Sequence, residues 1–280
     1  MSDAPVWFIT GCSTGFGREL AALLLAQGKR VAVTARNPAD VQDLVDGRGD
    51  QALALTLDVT RPEQVSAAAE AALAHFGRVD VLVNNAGIGY FAAVEESEEA
   101  EVRRMFEINF WGLAAMTNAL LPAMRERRSG HVVNISSIGG LRAFPALGYY
   151  NASKFAVEGL SEALSLELAP LGIGVTIVEP SGFRTDWAGR SAADNAHQIA
   201  DYAETAGRNN DSLRENSGQQ AGDPRRAAEA IVAAVEAETP PLRLLLGEAA
   251  LKGARGKLKM LAQDFDAWEA TTVGADAPLG

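Results

Sequence analysis

Val6-Trp7-Phe8-Ile9-Thr10-Gly11-Cys12-Ser13-Thr14-Gly15-Phe16-Gly17 is the stretch on which the reading of the fold turns. Its first four side chains are bulky and apolar, as in a strand buried on both faces. Three glycines follow within eight residues, and residues 18–27 are then apolar at helical spacing. Strand, glycine-rich turn and helix in succession make the phosphate-binding half of a dinucleotide fold. Gly11 permits the tight turn, Gly15 lets the backbone approach a pyrophosphate, and Gly17 lets helix pack against strand. The spacing is G-x-x-x-G-x-G, not the commoner G-x-G-x-x-G. A glycine loop alone says little; between a strand and a helix it says much more.

Outward from that unit, the same alternation repeats. Gly28 ends the first helix, and residues 31–34 read as a second strand. At the end of that strand the fold places an acid when the cofactor is NAD, to hold the ribose 2′-hydroxyl. This chain has Ala35-Arg36-Asn37 there, so a 2′-phosphate finds Arg36 and no carboxylate. NADP(H) is therefore favoured, with NAD(H) the alternative. Residues 53–58 read as a third strand ending in Asp58. Thr60-Arg61-Pro62-Glu63 has the form of a capping box before an Ala-rich helix that runs to Phe76. Residues 80–83 are a fourth strand leading into Asn84-Asn85-Ala86-Gly87. A long helix over 102–127 carries Asn109 among Phe106, Ile108, Phe110 and Trp111; a buried asparagine there needs partners. Residues 131–135, 172–178 and 242–246 complete the strands, the first of them ending in Ser136-Ser137, where ligands of open α/β sheets bind.

These elements predict an α/β protein with a doubly wound parallel sheet of about seven strands flanked by helices. The expected organisation is one domain over residues 1–270, with 271–280 as a loose tail. Residues 186–222 are polar and long for a connection, which points to a lid over the substrate. Asp223-Pro224 has the cap-then-proline order of a helix start.

Composition narrows the function. In 280 residues the formal net charge is −11, which argues against nucleic acid and anionic membrane surfaces as partners. Cys12 is the single cysteine, so an internal disulfide and a cysteine-based metal site are both excluded, and no metal is expected. No apolar run is long enough to span a bilayer, and no signal-peptide pattern opens the chain. The expectation is a cytoplasmic protein acting on a small molecule.

The chemistry centres on Tyr150-Asn151-Ala152-Ser153-Lys154. Residues four apart on a helix share a face, which sets Lys154 beside Tyr150. An adjacent ammonium favours the phenolate and lowers a tyrosine pKa from its usual value near 10. Tyr149 has uncharged Ser153 at the same spacing, so Tyr150 is the candidate acid/base. Taken alone, the pair is common on solvated helix faces.

Thr10-Gly11-x-x-x-Gly15-x-Gly17, Asn84-Asn85-Ala86-Gly87, Asn109, Ser137 and Tyr150-x-x-x-Lys154 together resemble, in order and spacing, the classical short-chain dehydrogenases/reductases. The resemblance covers roughly residues 5–190 and implies a Rossmann fold. It selects Ser137 over Ser136 and implies a catalytic group of Tyr150, Lys154, Ser137 and Asn109. Ser137 would hydrogen-bond the substrate oxygen, Tyr150 would exchange a proton with it, and Lys154 would hold the nicotinamide ribose. Asn109 would anchor a water leading to Lys154. The implied cofactor contacts are Gly11, Ser13, Thr14, Gly15, Phe16, Gly17, Arg36, Asp58, Val59, Asn85, Ala86, Gly87, Tyr150, Lys154, Pro180, Phe183 and Thr185. Ser181 departs from the glycine usual after the proline. A homodimer or homotetramer is also implied. Phe91, Leu141, Phe144, Trp187 and Tyr202 are candidates to line a lipophilic substrate pocket. The expected activity is interconversion of a secondary alcohol and its ketone; a cofactor-binding sensor on the same fold is the alternative.

Overall fold

In the computed structural model, residues 4–185, 187, 192–194 and 198–277 are described. Seven parallel strands form the main sheet. In chain order they are β1 (Val6–Ile9), β2 (Arg30–Ala35), β3 (Ala52–Thr56), β4 (Val81–Asn84), β6 (Gly130–Ile135), β7 (Ile173–Pro180) and β9 (Arg243–Leu246). Two short strands, β5 (Gly89–Phe91) and β8 (Ala192–Asp194), lie outside this sheet. The spatial order of the seven is β3-β2-β1-β4-β6-β7-β9. The direction of travel therefore reverses between β1 and β4, the switch point beside which open α/β sheets bind ligands.

β1 shows why the sheet must be covered on both faces. Trp7 and Ile9 point into one apolar cluster, together with Leu20, Leu24, Val31, Val33, Ile231 and Val232. Val6 and Phe8 point into the other, with Leu82, Met116, Leu120, Val132 and Leu164. The period-two alternation of a strand thus feeds two cores. The first lies under α1 (Gly15–Ala26) and α8 (Pro224–Val235). The second lies under α3 (Pro62–Phe76), α5 (Leu113–Arg127) and α6 (Gly148–Leu168). Complete burial of one such side chain is worth about 1.5–3 kcal/mol, so all four residues of β1 contribute to holding the two layers together. Asp223 caps α8 as expected, its carboxylate accepting from the amides of Arg225 and Arg226 at 2.9 and 3.4 Å.

Several local expectations give way. Thr60 does not cap α3. Its hydroxyl donates to Asp58 Oδ1 at 2.7 Å, and Arg61, with no side-chain cap bond, holds the N-cap position. The acid two residues away competes better for the hydroxyl than the helix amides do. The long helix expected over 102–127 is three consecutive pieces. These are α4 (Glu99–Phe106), a π-helical stretch Glu107–Gly112, and α5. The 26-residue helix α9 (Glu248–Val273) runs three residues into the terminal segment that begins at residue 271. Two smaller helices, α2 (Gln42–Val45) and α7 (Arg208–Glu215), complete the set among the described residues. A second, two-stranded parallel sheet pairs β5 with β8. The 186–222 segment thus contributes β8, two short helical turns and α7, and parts of it lie outside the described residues.

Candidate active site

β6 ends at Ile135, and the chain turns through Ser136 and Ser137 at the carboxyl edge of the sheet. Ser137 is the N-cap of a short 3-10 turn, its hydroxyl accepting from the Gly139 amide at 2.9 Å. Opposite it, α6 buries Tyr150, Ser153, Lys154, Val157, Glu158 and Ser161 on one face at helical spacing. This brings Tyr150 close to Ser137: a methyl on Gly139 would sit 3.3 Å from both Ser137 Oγ and Tyr150 Cε1. Lys154 Nζ donates to the Ile135 carbonyl at 2.9 Å and stands 5.9 Å from the centroid of the Tyr150 ring. Gly87 closes the group: a methyl there would sit 3.3 Å from Asn109 Oδ1 and 3.7 Å from Lys154 Nζ.

Asn109 occupies the π-helical stretch, a local irregularity often found at functional sites. It is 1% exposed, and its amide is fully engaged. Oδ1 accepts from the Ile88 amide at 2.9 Å, and Nδ2 donates to the Ile88 carbonyl at 3.0 Å and to Ser153 Oγ at 3.2 Å. Ser153 did not stand out in the sequence. Its only signal there is its place one residue before Lys154, on the buried face of α6.

Burial dominates the protonation of the pair. It pushes the Tyr150 phenol up to about 12, against the Ser137 hydrogen bond that pulls it down. It pushes Lys154 down to about 8, against the attraction of Glu158. Burial therefore outweighs the lowering expected from Lys154. A dry pocket penalises both charged forms, and the ammonium is directed at the Ile135 carbonyl.

The glycine turn lies across the switch point. Gly11 adopts φ +70° and Gly15 φ +60°, backbone that favours glycine. A methyl on Gly17 would meet Asn85 Nδ2 and the Gly11 carbonyl oxygen, each at 2.5 Å. Asn85 is what holds the turn: Nδ2 donates to the Thr10 and Gly11 carbonyls at 2.9 and 2.8 Å. Thr10 Oγ1 in return accepts from the amides of Asn85 and Ala86, both at 2.9 Å. Thr14 is the N-cap of α1 but makes no side-chain cap bond, so the first amides of the helix remain open to an anion. Ser13 and Thr14 belong to the same turn, and Phe16 lies in the first turn of α1. A close-approach backbone beside an uncapped helix end fits a dinucleotide pyrophosphate. Gly17→Ala is expected to weaken nicotinamide-dinucleotide binding at least about tenfold and to cost about 1–3 kcal/mol of stability. Fluorescence titration and thermal melting check this, and unchanged affinity would contradict the cradle.

At the adenosine end, Arg36 is exposed past β2. Burial would raise the Asp58 carboxyl, but bonds from Thr60 and the charges of Arg36 and Arg61 outweigh it and hold it below the usual carboxylate range. Val59 packs against Gly112, where a methyl would come within 2.6 Å of it. At the other end, Phe183 stacks edge-on to Phe16 with centroids 5.0 Å apart. Thr185 flanks Gly15, where a methyl would come within 3.6 Å of its side chain. Pro180 ends β7. Ser181 is accommodated beside Gly247, and its hydroxyl donates to the Leu246 carbonyl at 3.3 Å.

On the substrate side, Trp187 lies 4.9 Å from the Tyr150 ring and 5.4 Å from Phe91. Phe144 joins this cluster. Tyr202 does not: it packs on Ala93, Ala146 and Ala206, and its hydroxyl donates to Glu95 at 2.5 Å. Arg142 lies over the Phe144 ring at 5.5 Å, and Arg184 pairs with Asp223 at 3.2 Å.

Behind Lys154 lies a network that sequence reasoning missed. Ser136 Oγ donates to Glu158, and Arg243 bridges Glu158, Glu162 and Glu179. Glu158 and Glu179 are 5% and 0% exposed. The one advance signal is Glu158 following Lys154 at i+4.

Comparison with known proteins places this geometry in a family. The family model described as short chain dehydrogenase matches residues 5–196. A solved short-chain dehydrogenase from Streptomyces avermitilis superposes with a TM-score of 0.91 at 45% identity, covering 98% of this chain and 100% of that one. A short chain dehydrogenase/reductase from Burkholderia phymatum, solved in complex with NAD, superposes with a TM-score of 0.80 at 28% identity, covering 90% and 92%. The 3-ketodihydrosphingosine reductase of Bacteroides thetaiotaomicron is 40% identical over 242 residues, 85% of this chain and 86% of its own length. Matched over most of its length by family model, relative and structure alike, this chain belongs to the short-chain dehydrogenase/reductase family of oxidoreductases.

Proposed function

We propose that the protein interconverts a secondary alcohol and its ketone with NADP(H), using Tyr150, Lys154, Ser137 and Asn109. The observation that carries this reading is the closeness of Ser137 Oγ and the Tyr150 ring around Gly139 at the carboxyl end of β6, with Lys154 directly behind. The nicotinamide supplies and accepts the hydride when bound. The neighbouring hydroxyls of Ser137 and Tyr150 are the donors for a carbonyl oxygen that gains negative charge during reduction. Tyr150, neutral at physiological pH, gives that oxygen its proton; in the reverse direction it takes one. Asn109 fixes the backbone at Ile88, beside Lys154. Trp187, Phe91 and Phe144 around Tyr150 favour a lipophilic substrate, and the Bacteroides relative is itself a reductase of a 3-keto compound. In this reading residues 1–270 act as one domain, with the 186–222 segment covering the substrate.

The test is NADPH oxidation across aliphatic, aromatic and steroidal ketones, with NADH in parallel. Turnover with a preference for NADPH is expected. Arg36→Asp should reverse that preference by about tenfold or more, since it trades a phosphate-binding cation for a ribose-binding acid. A wild-type preference for NADH would refute Arg36 as selector. Tight NADPH binding without turnover on any ketone would favour a sensor instead.

A further inference from the structure

We propose that α9 pairs antiparallel with the α9 of a second copy of this chain, through a seam of Leu258, Leu261, Phe265 and Trp268. Only the base of this helix is held by its own fold. Ala250, Gly253 and Ala254 are buried, and Gly253 lies against Ile138, where a methyl would come within 3.3 Å. Beyond Ala254 the helix continues to Val273 with almost every residue exposed. A helical segment of about nineteen residues extends about 28 Å, so the outer part of α9 stands clear of the sheet that carries it.

A helix that faces water on all sides should be polar all round. This one is not. Leu258, Phe265 and Trp268 are 66%, 67% and 65% exposed, and Leu261 between them is half-buried. Their spacing is three, four, three, with Leu251 and Ala254 continuing the pattern inward. That is the a/d seam of a coiled coil, not the scatter of single apolar residues that any surface carries.

The charges identify the occupant and its direction. Lys252, Arg255, Lys257 and Lys259 fill the first half; Asp264, Asp266 and Glu269 fill the second, which has no base. A helix stabilised by its own ion pairs interleaves opposite charges at i,i+4. Here Arg255 and Lys259 are a like-charged pair at that spacing, and among the described residues Arg255, Lys257, Lys259, Asp264, Asp266 and Glu269 make no ion pair. Two such helices side by side in parallel would set base on base. Running antiparallel, they set each basic half on an acidic half, with Leu258 against the Trp268 position of the second copy and Leu261 against its Phe265 position. Lys257 then comes level with the Glu269 position. The surface is therefore complementary to itself, as a two-fold contact requires. An anionic lipid surface fits less well, because the two aromatic residues sit among the acids.

The experiment uses the full chain. Cys12, the one native cysteine, is buried and its thiol is pushed up to about 12, so it stays silent under mild oxidation. Leu258→Cys and Trp268→Cys proteins are prepared separately, then oxidised alone and mixed. A disulfide-linked pair that forms only in the mixture is expected, and it reports on α9 whatever other interface the protein has. Cross-linking of each variant with itself would mean parallel pairing and overturn the proposal, as would no cross-link in any sample. As a second reading, Phe265→Glu with Trp268→Glu should raise the dissociation constant of the assembly in sedimentation velocity by about 100-fold, the loss expected for two buried aromatic anchors. Unchanged sedimentation would count against the seam. So would wild-type protein that floats with phosphatidylglycerol vesicles when the double variant does not.

Discussion

Tyr150→Phe is expected to lower turnover of the best ketone by about 10²–10⁴-fold, the range for losing a positioned general acid, while NADPH affinity changes little. The reason for the split is geometric. Phenylalanine keeps the ring that packs 4.9 Å from Trp187, so the pocket stays filled and the helix face stays buried. What disappears is the hydroxyl on the ring that lies beside Ser137. The loss should therefore fall on kcat, with KM for the ketone changing by a smaller factor. Retention of turnover within a few-fold of wild type would remove Tyr150 as proton donor.

The pH profiles follow from the shifted groups. Reduction needs the protonated phenol, and burial pushes Tyr150 to about 12, so that requirement is met throughout the usual range. Oxidation needs the phenolate, and its rate should climb with pH toward that value. Lys154, pushed down to about 8, loses its ammonium as the pH rises through the mildly alkaline range. Ribose binding that depends on the charge should weaken above that pH, and Lys154→Met should abolish the decline along with most of the activity.

The parts of this molecule that could be read in the sequence are those governed by short-range rules. β1, with Gly11, Gly15 and Gly17 after it, is visible because burial on both faces and backbone approach each demand particular residue types in a row. Ser137 and Tyr150 lie thirteen residues apart in sequence; the strand end and the helix start that join them were both legible. The dry environment was not. Whether Tyr150 feels Lys154 or its own dehydration depends on Trp187, Phe91 and the Ile135 carbonyl, which are brought in by three other elements. The Thr60 cap failed because the competing acceptor, Asp58, lies two residues upstream in a strand exit that a helix motif does not consider. The pairing of β5 with β8 joins residues about a hundred positions apart through strands of three residues, too short to leave a periodic signal. The π-helical turn at Asn109 left no pattern either, since its neighbours are ordinary helix residues.

Arg243→Leu carries the largest expected stability loss. One guanidinium serves three carboxylates: Nη1 contacts Glu158 at 2.5 Å and also reaches Glu179, and Nη2 contacts Glu162. Removing one partner of a buried ionic group costs about 3–5 kcal/mol, because the charges left behind cannot be hydrated. The Arg243 side chain is a third exposed, which places the expectation near the lower end, about 3 kcal/mol. For a chain of this size that is roughly a 6–12 °C fall in Tm. The loss should depend on pH with a definite sign. Burial and the neighbouring Glu158 raise the Glu179 carboxyl, against the pull of Arg243. A carboxyl whose pKa is higher folded than unfolded holds more protons in the folded state, so stability falls as pH rises from the ordinary carboxylate range toward neutrality. Without Arg243 the carboxyl is raised further, and the fall should be steeper and reach higher pH. Adding Glu179→Gln to Arg243→Leu removes one of the stranded charges and should recover part of the loss, a coupling that independent sites would not show. Equal melting temperatures for wild type and Arg243→Leu at neutral pH would show that the network is hydrated and contributes little. Because Glu158 sits one helical turn from Lys154 and accepts from Ser136, the same substitution should also lower kcat at temperatures where the protein remains folded.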